Sequence, residues 1–471
     1  MEAQKMITPQ PNTNLLLNGD SHHVLKQLPD NSVTAIVTDP PYGLSFMGKK
    51  WDYDVPSVDF WKEALRVLTP GGTLLCFAGS RTQHRMACNI EDSGFVLKDC
   101  IMWLYGSGFP KALDISKQLM KKVGDEGVVI GEKGLHSYKT DRTPLNGMSG
   151  LRNDFNKANQ LVEPTDENAK LWNGWKSHGL KPAYEPIIVA MKPNEGSYAN
   201  NALKNGIGGL NINGCRIESS EKLNRTQKGN HNSSSYSISS ETFGAKCNNR
   251  DEMGRCKGHP TANGSLGGGI MRHGPETKVT GRFPANIIHD GSDEVVSGFP
   301  ETKSGARKKQ PFSENKNLWN KMGGGDCEAS QGSASRFFYC AKASKSERNM
   351  GMKVKGTGSN TYNKKCVKCG KWQLKQGFTD DYTCRCKNPE WKIPTGNVHP
   401  TVKPVKLMNY LVKLVKQPEK NLILDPFMGS GTTALACIEN DVNWIGIERE
   451  EEYIKIINAR VEYKFKELLI G

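Results

Sequence analysis

The sequence predicts an α/β protein built on a mostly parallel sheet, and three observations predict it. Apolar runs of strand length alternate with segments of helical spacing at both ends of the chain. The run Ser32–Thr38 is of the buried kind, as in strands covered on both faces. Several runs end in Gly- or Pro-containing turns, where chains in such folds change direction. At 471 residues the chain exceeds one ordinary core, so two or three domains are expected.

In order, Asn14–Asn18 reads as a short strand ending at Gly19-Asp20, and Ser32–Thr38 as a strand running into Asp39-Pro40-Pro41-Tyr42-Gly43. Asp59–Val67 carries Phe60, Ala64, Leu65 and Val67 at helical spacing, and Pro70-Gly71-Gly72 is expected to stop it. Thr73–Ala78 and Phe95–Leu104 follow as strands around a polar helix. Between about Lys111 and Phe337 periodicity fades, interrupted by the strand Tyr184–Ala190. Gly209–Arg216 and Pro284–His289 look strand-like and suggest a small irregular domain, and Phe337-Phe338 is expected to close the region in a strand. The chain ends in a second α/β unit: helix Val402–Lys416, strand Asn421–Leu424, helix Thr432–Glu439, strand Trp444–Ile447 and helix Glu451–Glu467.

Hydrophobic residues make up 36%, below the usual globular share, which fits a folded core carrying long polar insertions. Lys+Arg is 64 against Asp+Glu 49, a net +15 that favours a polyanionic partner. Lys342–Lys392 holds 13 Lys and Arg against 4 Asp and Glu, a local +9. Met1–Asn14 lacks an apolar signal segment, no run of about 18 apolar residues occurs, and the 13 cysteines are an odd count. These features give the expectation of a cytoplasmic protein without a membrane span.

Two motifs carry chemistry. Asp39-Pro40-Pro41-Tyr42 follows a strand and offers what methylation of an exocyclic amine requires. Asp39 and the Pro40 carbonyl can accept hydrogen bonds from the amine, the prolines stiffen the turn, and Tyr42 offers a stacking face for an unstacked base. An ordinary turn is the alternative for this motif alone. Leu424–Thr433 (LDPFMGSGTT) lies between strand and helix, where its glycines allow close approach of a ligand. Glu448 follows at the end of the next strand, about 20 residues on, where an acid suits ribose hydroxyls. Asp425 would repel phosphate, and a cofactor carrying an amino group suits this loop better.

With these motifs in this order, the chain resembles the β class of DNA amino-methyltransferases, of bacterial or phage type. The resemblance rests on Leu17–Asp20, Val37–Gly43, Leu65–Phe77, Ile101–Lys111, His399–Pro404, Leu424–Thr433 and Ile445–Glu448, and covers about 14–112, 180–193 and 398–462. It implies a Rossmann-like S-adenosylmethionine-dependent methyltransferase fold in circularly permuted order, catalytic half first. It implies a base site of Asp39, Pro40, Pro41 and Tyr42. For the cofactor it implies Asp425, Gly429 and Gly431 at the methionine end, Phe427 and Thr432 as further cofactor contacts, and His399, Thr401 and Lys403 near the methionine carboxylate. Glu448 would meet the ribose and Asp20 the adenine. Asp at the first motif position points to adenine N6 rather than cytosine N4. No Pro-Cys pair is present for C5 methylation of cytosine. DNA is the implied substrate, and the family allows for a homodimer and a paired restriction nuclease.

The resulting division is 1–112 catalytic half, 113–180 insertion, 181–195 returning strand, 196–345 target-recognition domain, 346–397 basic zinc ribbon and 398–471 cofactor half. The ribbon rests on Cys366, Cys369, Cys384 and Cys386, whose spacing suits a structural Zn²⁺ although the closing pair has one spacer where two are usual. Free thiols are the alternative. The competing functional readings are cytosine-N4 methylation, a structured RNA substrate, and an inactive zinc-ribbon protein that binds nucleic acid.

Overall fold

A computed structural model describes residues 6–9, 14–44, 52–108, 110, 112–132, 160–218, 281–304, 330–341, 347–352, 365–366, 391–392, 397, 399 and 401–470. In chain order the strands are β1 (Leu15–Asn18), β2 (Val33–Thr38), β3 (Leu68–Phe77), β4 (Val96–Leu104), β5 (Val128–Glu132), β6 (Gln160–Glu163), β7 (Tyr184–Met191) and β8 (Ile287–His289). They continue with β9 (Glu301–Ser304), β10 (Ser330–Ser333), β11 (Tyr339–Cys340), β12 (Lys365–Cys366), β13 (Trp391–Lys392), β14 (Leu422–Asp425) and β15 (Asn443–Glu448).

Nine strands form one sheet in the order β1-β15-β14-β2-β3-β7-β4-β8-β11. From β1 to β3 every pairing is parallel. β7 runs antiparallel between β3 and β4, and β8 and β11 continue the edge in parallel. The last two strands of the chain therefore lie between its first two.

Period-two alternation splits the apolar side chains between two faces. Ala35, Val37, Leu75 and Phe77 join one cluster under helices Val405–Val415 and Thr432–Glu439. Ile36, Leu74 and Cys76 join the other, under helices Val58–Val67 and Gln83–Asp92. All six residues of β2 are buried, as an interior strand covered on both faces requires.

Some local expectations are corrected. Pro70-Gly71-Gly72 does not separate helix from strand; helix Val58–Val67 passes directly into β3, and the three residues form an irregularity inside it. Gly71 takes φ 76°, and buried Asn201 clamps the segment by donating to the Pro70 carbonyl at 2.9 Å. Gly209–Arg216 is no strand: it turns through a short 3₁₀ segment, Asn213–Cys215, and Asn211 donates its backbone N–H to the Leu414 carbonyl at 2.8 Å. Phe337 ends a 3₁₀ turn, Ala334–Phe337, and the strand begins only at Tyr339. β8 belongs to the main sheet rather than to a separate unit. Cys369, Cys384 and Cys386 lie outside the described residues, as does the side chain of Cys366 in β12. Among the described residues no group of His, Cys, Asp and Glu is arranged to hold a metal, and no helix is long and apolar enough to cross a membrane.

Candidate active site

In an open parallel sheet, connections leaving neighbouring strands on opposite sides open a crevice at their carboxyl ends. Here β14 and β2 are those neighbours. Because Asp39–Tyr42 follows β2 and Asp425–Thr433 follows β14, both motifs arrive at one cavity. Its volume is about 690 Å³, within the range of small-molecule pockets.

On the β14 side Asp425 is fully enclosed. Its Oδ1 accepts from the Thr38 hydroxyl at 2.7 Å and the Phe427 N–H at 3.0 Å, and its Oδ2 from the Thr433 hydroxyl at 2.5 Å. Burial pushes its pKa up to about 6 despite these bonds, and the nearby Asp39 charge adds to the rise. Glu448, at the end of β15, is fixed by the backbone N–H groups of Gly429 and Glu450, each at 2.8 Å. Burial raises its pKa as well.

Gly429 sits at φ 55°, and any side chain there would meet the His399 ring within 2.9 Å. His399 is bonded through Nδ1 to the Thr401 carbonyl at 2.9 Å, and burial lowers its pKa to about 4, so it is neutral near pH 7. Buried Arg460 holds the same loop from behind, donating to the Ser430 carbonyl at 2.6 Å and the Thr432 hydroxyl at 3.1 Å.

On the β2 side four side chains converge. The Lys403 ammonium lies 2.8 Å from Asp39 Oδ2, 3.0 Å from Glu185 Oε2 and 3.2 Å from the Tyr42 hydroxyl, which matches its three donors. Burial alone would lower the Lys403 pKa, but Asp39 and Glu185 outweigh it and hold the pKa above the ordinary lysine value. The Tyr42 hydroxyl donates to Asp39 Oδ1 at 2.6 Å; burial first, then the two carboxylates, push its pKa well up. Asp52 fixes the turn itself, accepting from the backbone N–H groups of Tyr42 at 2.7 Å and Gly43 at 3.0 Å.

Asp39, Pro40, Pro41, Tyr42, Asp20, His399, Thr401, Lys403, Asp425, Phe427, Gly429, Thr432 and Glu448 all line this cavity. Gly431 does not; at φ 81° it faces Ile457, where a side chain would come within 3.0 Å. Lys403 makes its polar contacts with Asp39, Tyr42 and Glu185. Trp103 packs 5.1 Å from the Tyr105 ring and also lines the cavity. Sequence reasoning missed Glu185, Asp52 and Arg348, which lines the cavity and donates to the His399 carbonyl at 2.9 Å. The signal for Glu185 was a lone acid in the strand Tyr184–Met191, whose last six residues are buried.

The raised pKa of Asp425 fixes the sign of a stability effect. A carboxyl that holds its proton more tightly when folded destabilises the fold on ionising. This contribution is absent below about pH 4 and develops as pH rises to about 6, reaching about 2 to 3 kcal/mol. Asp425→Asn is therefore expected to melt higher than wild type at pH 7.5, with the gain vanishing near pH 4, as thermal unfolding at the two pH values checks.

The fold and cavity define an α/β protein with a small-molecule site at the switch point of its sheet. The DNA methylase family (N6_N4_Mtase) matches residues 33–459, and the chain belongs to it. The Type II methyltransferase M.HindIII of Haemophilus influenzae is 23% identical over 245 residues, 42% of this chain and 65% of that protein. The Type II methyltransferase M2.MboI of Moraxella bovis is 40% identical over 77 residues, 15% of this chain and 28% of that one. The chain thus spans less than two thirds of the length of either relative. Among solved structures, the M1.HpyAVI–SAM complex overlays with TM-score 0.33 at 14% identity, over 95% of this chain and 98% of that one. The cytosine-N4-specific PvuII DNA methyltransferase gives 0.36 at 13% identity, over 95% and 86%. Overlays this loose add nothing to the fold, which rests on its own strand order.

Proposed function

We propose that the chain is an S-adenosylmethionine-dependent DNA methyltransferase acting on the exocyclic N6 of an adenine turned out of the duplex. The observation that carries this reading is that the Asp39–Tyr42 face and the Asp425–Glu448 face line one cavity. The circularly permuted, catalytic-half-first order is part of the proposal; the position of β14 and β15 between β1 and β2 supports it.

The residues present suit the methyl donor. Asp425 and Glu448 offer negative charge to a cation bearing an amino group and ribose hydroxyls, and Gly429 leaves room for close approach. When bound, the donor supplies a methyl group on a positively charged sulfur, whose departure needs no acid. The protein's own part is placement and charge. Asp39 accepts from the amine and turns its lone pair toward the donor, and Tyr42 offers a face for the base. The net +15 supports DNA as the substrate through phosphate attraction.

Adenine rather than cytosine rests on Asp39 at the first motif position. The test is incubation with DNA and radiolabelled S-adenosylmethionine, then digestion and identification of the labelled nucleoside. N6-methyladenine is expected; N4-methylcytosine keeps the chemistry and overturns the base, and label in RNA alone overturns the substrate. A Zn²⁺ on Cys366, Cys369, Cys384 and Cys386 remains part of the proposal on spacing alone, and metal analysis of the purified chain decides it.

A further inference from the structure

Methylation of an exocyclic amine leaves a proton to be removed, and the cavity holds a carboxylate placed to take it. We propose that Glu185 is a catalytic residue: a second acceptor for the amino group and the base that receives its proton. This rests on the methyl-transfer reading above.

Asp39 is already engaged through both oxygens, Oδ1 by the Tyr42 hydroxyl and Oδ2 by Lys403. Glu185 meets Lys403 and the Tyr42 hydroxyl through Oε2 alone, at 3.0 and 3.3 Å. Its Oε1 makes no hydrogen bond among the described residues, and the side chain lines the cavity beside Asp39 and Tyr42. An acid near the start of the otherwise apolar β7 contributes nothing to the core, so packing does not account for it. Two carboxylates share one ammonium, so the cluster carries one uncompensated negative charge. That charge complements the cation that develops on nitrogen as the methyl group arrives.

The step balances. The nitrogen lone pair forms the N–C bond as the C–S bond breaks, its electron pair going to sulfur, which becomes a neutral thioether. The nitrogen, now positively charged, keeps the N–H bonding pair, and the proton passes to Glu185 Oε1. Glu185 is 21% exposed at the side chain, enough to return that proton to water.

The test compares Glu185→Gln and Glu185→Asp with wild type in single-turnover methylation of DNA, with calorimetric binding of S-adenosylmethionine and thermal melting as controls. Glu185→Gln is expected to lose about 100-fold in rate, in keeping with general-base catalysis. KM for DNA and donor affinity should stay within about threefold, and Glu185→Asp should recover part of the rate. A Gln variant within about fivefold of wild type overturns the assignment. So does parallel loss of rate, donor binding and melting temperature with no recovery in the Asp variant, which marks a structural role. A wild-type chain that binds donor but methylates no DNA overturns the underlying reading, and this shows before any variant is compared.

Discussion

Asp39→Ala is expected to reduce methyl transfer at least about 1000-fold while leaving S-adenosylmethionine affinity within about twofold of wild type. The size follows from what Asp39 does in this cavity. It is an acceptor for the amine, it takes the Tyr42 hydroxyl at 2.6 Å, and it holds Lys403 at 2.8 Å, so one truncation removes the acceptor and loosens two neighbours. Single preorganised groups of this kind are typically worth about 10²–10³ in rate, and loss of orientation adds to that. Donor affinity is spared because Asp425, Gly429 and Glu448 are held by other bonds: Thr38, Thr433 and the backbone of Phe427 and Glu450. Single-turnover kinetics and calorimetry on the same preparation check both halves. Equal loss of donor binding contradicts the division of labour between the two faces.

Lys403→Met carries the largest expected cost in stability. The Lys403 side chain is 9% exposed and its ammonium lies within 3.0 Å of two carboxylates, so its removal leaves Asp39 and Glu185 facing each other without a cation. Breaking a buried pair from one side typically costs about 3–5 kcal/mol. Here the cost is expected to fall when the charge is balanced again. Lys403→Met combined with Glu185→Gln should melt well above Lys403→Met alone, though it stays inactive. Denaturant titration of the two single variants and the double variant measures that coupling directly. Additive losses would show that Lys403 does not compensate Glu185.

Both motifs were legible because each is a contiguous turn after an apolar strand, the kind of signal that local spacing carries. Their meeting was implied by the family resemblance alone, because local spacing says nothing of β14 entering the sheet beside β2 across nearly the whole chain. Lys403 shows the same limit at short range. It follows His399 by four residues in one short motif, yet His399 turns to Gly429 while Lys403 reaches Asp39. Spacing alone does not say which cavity wall each of two nearby side chains meets; packing decides it. Glu185 left only a weak signal for a related reason, since one acid in a strand has no partner until Tyr42 and Lys403 reach it from distant segments. Pro70-Gly71-Gly72 is the converse case, a strong turn signal overridden when Asn201 fastens it inside β3.

The most direct measurement is a crystal structure of the chain with S-adenosylmethionine bound. The account predicts the donor against Asp425, Gly429 and Glu448, with its methyl group directed at an open space bounded by Asp39, Tyr42 and Glu185. A donor lying over Asp39 and Tyr42, or bound outside this cavity, would contradict it.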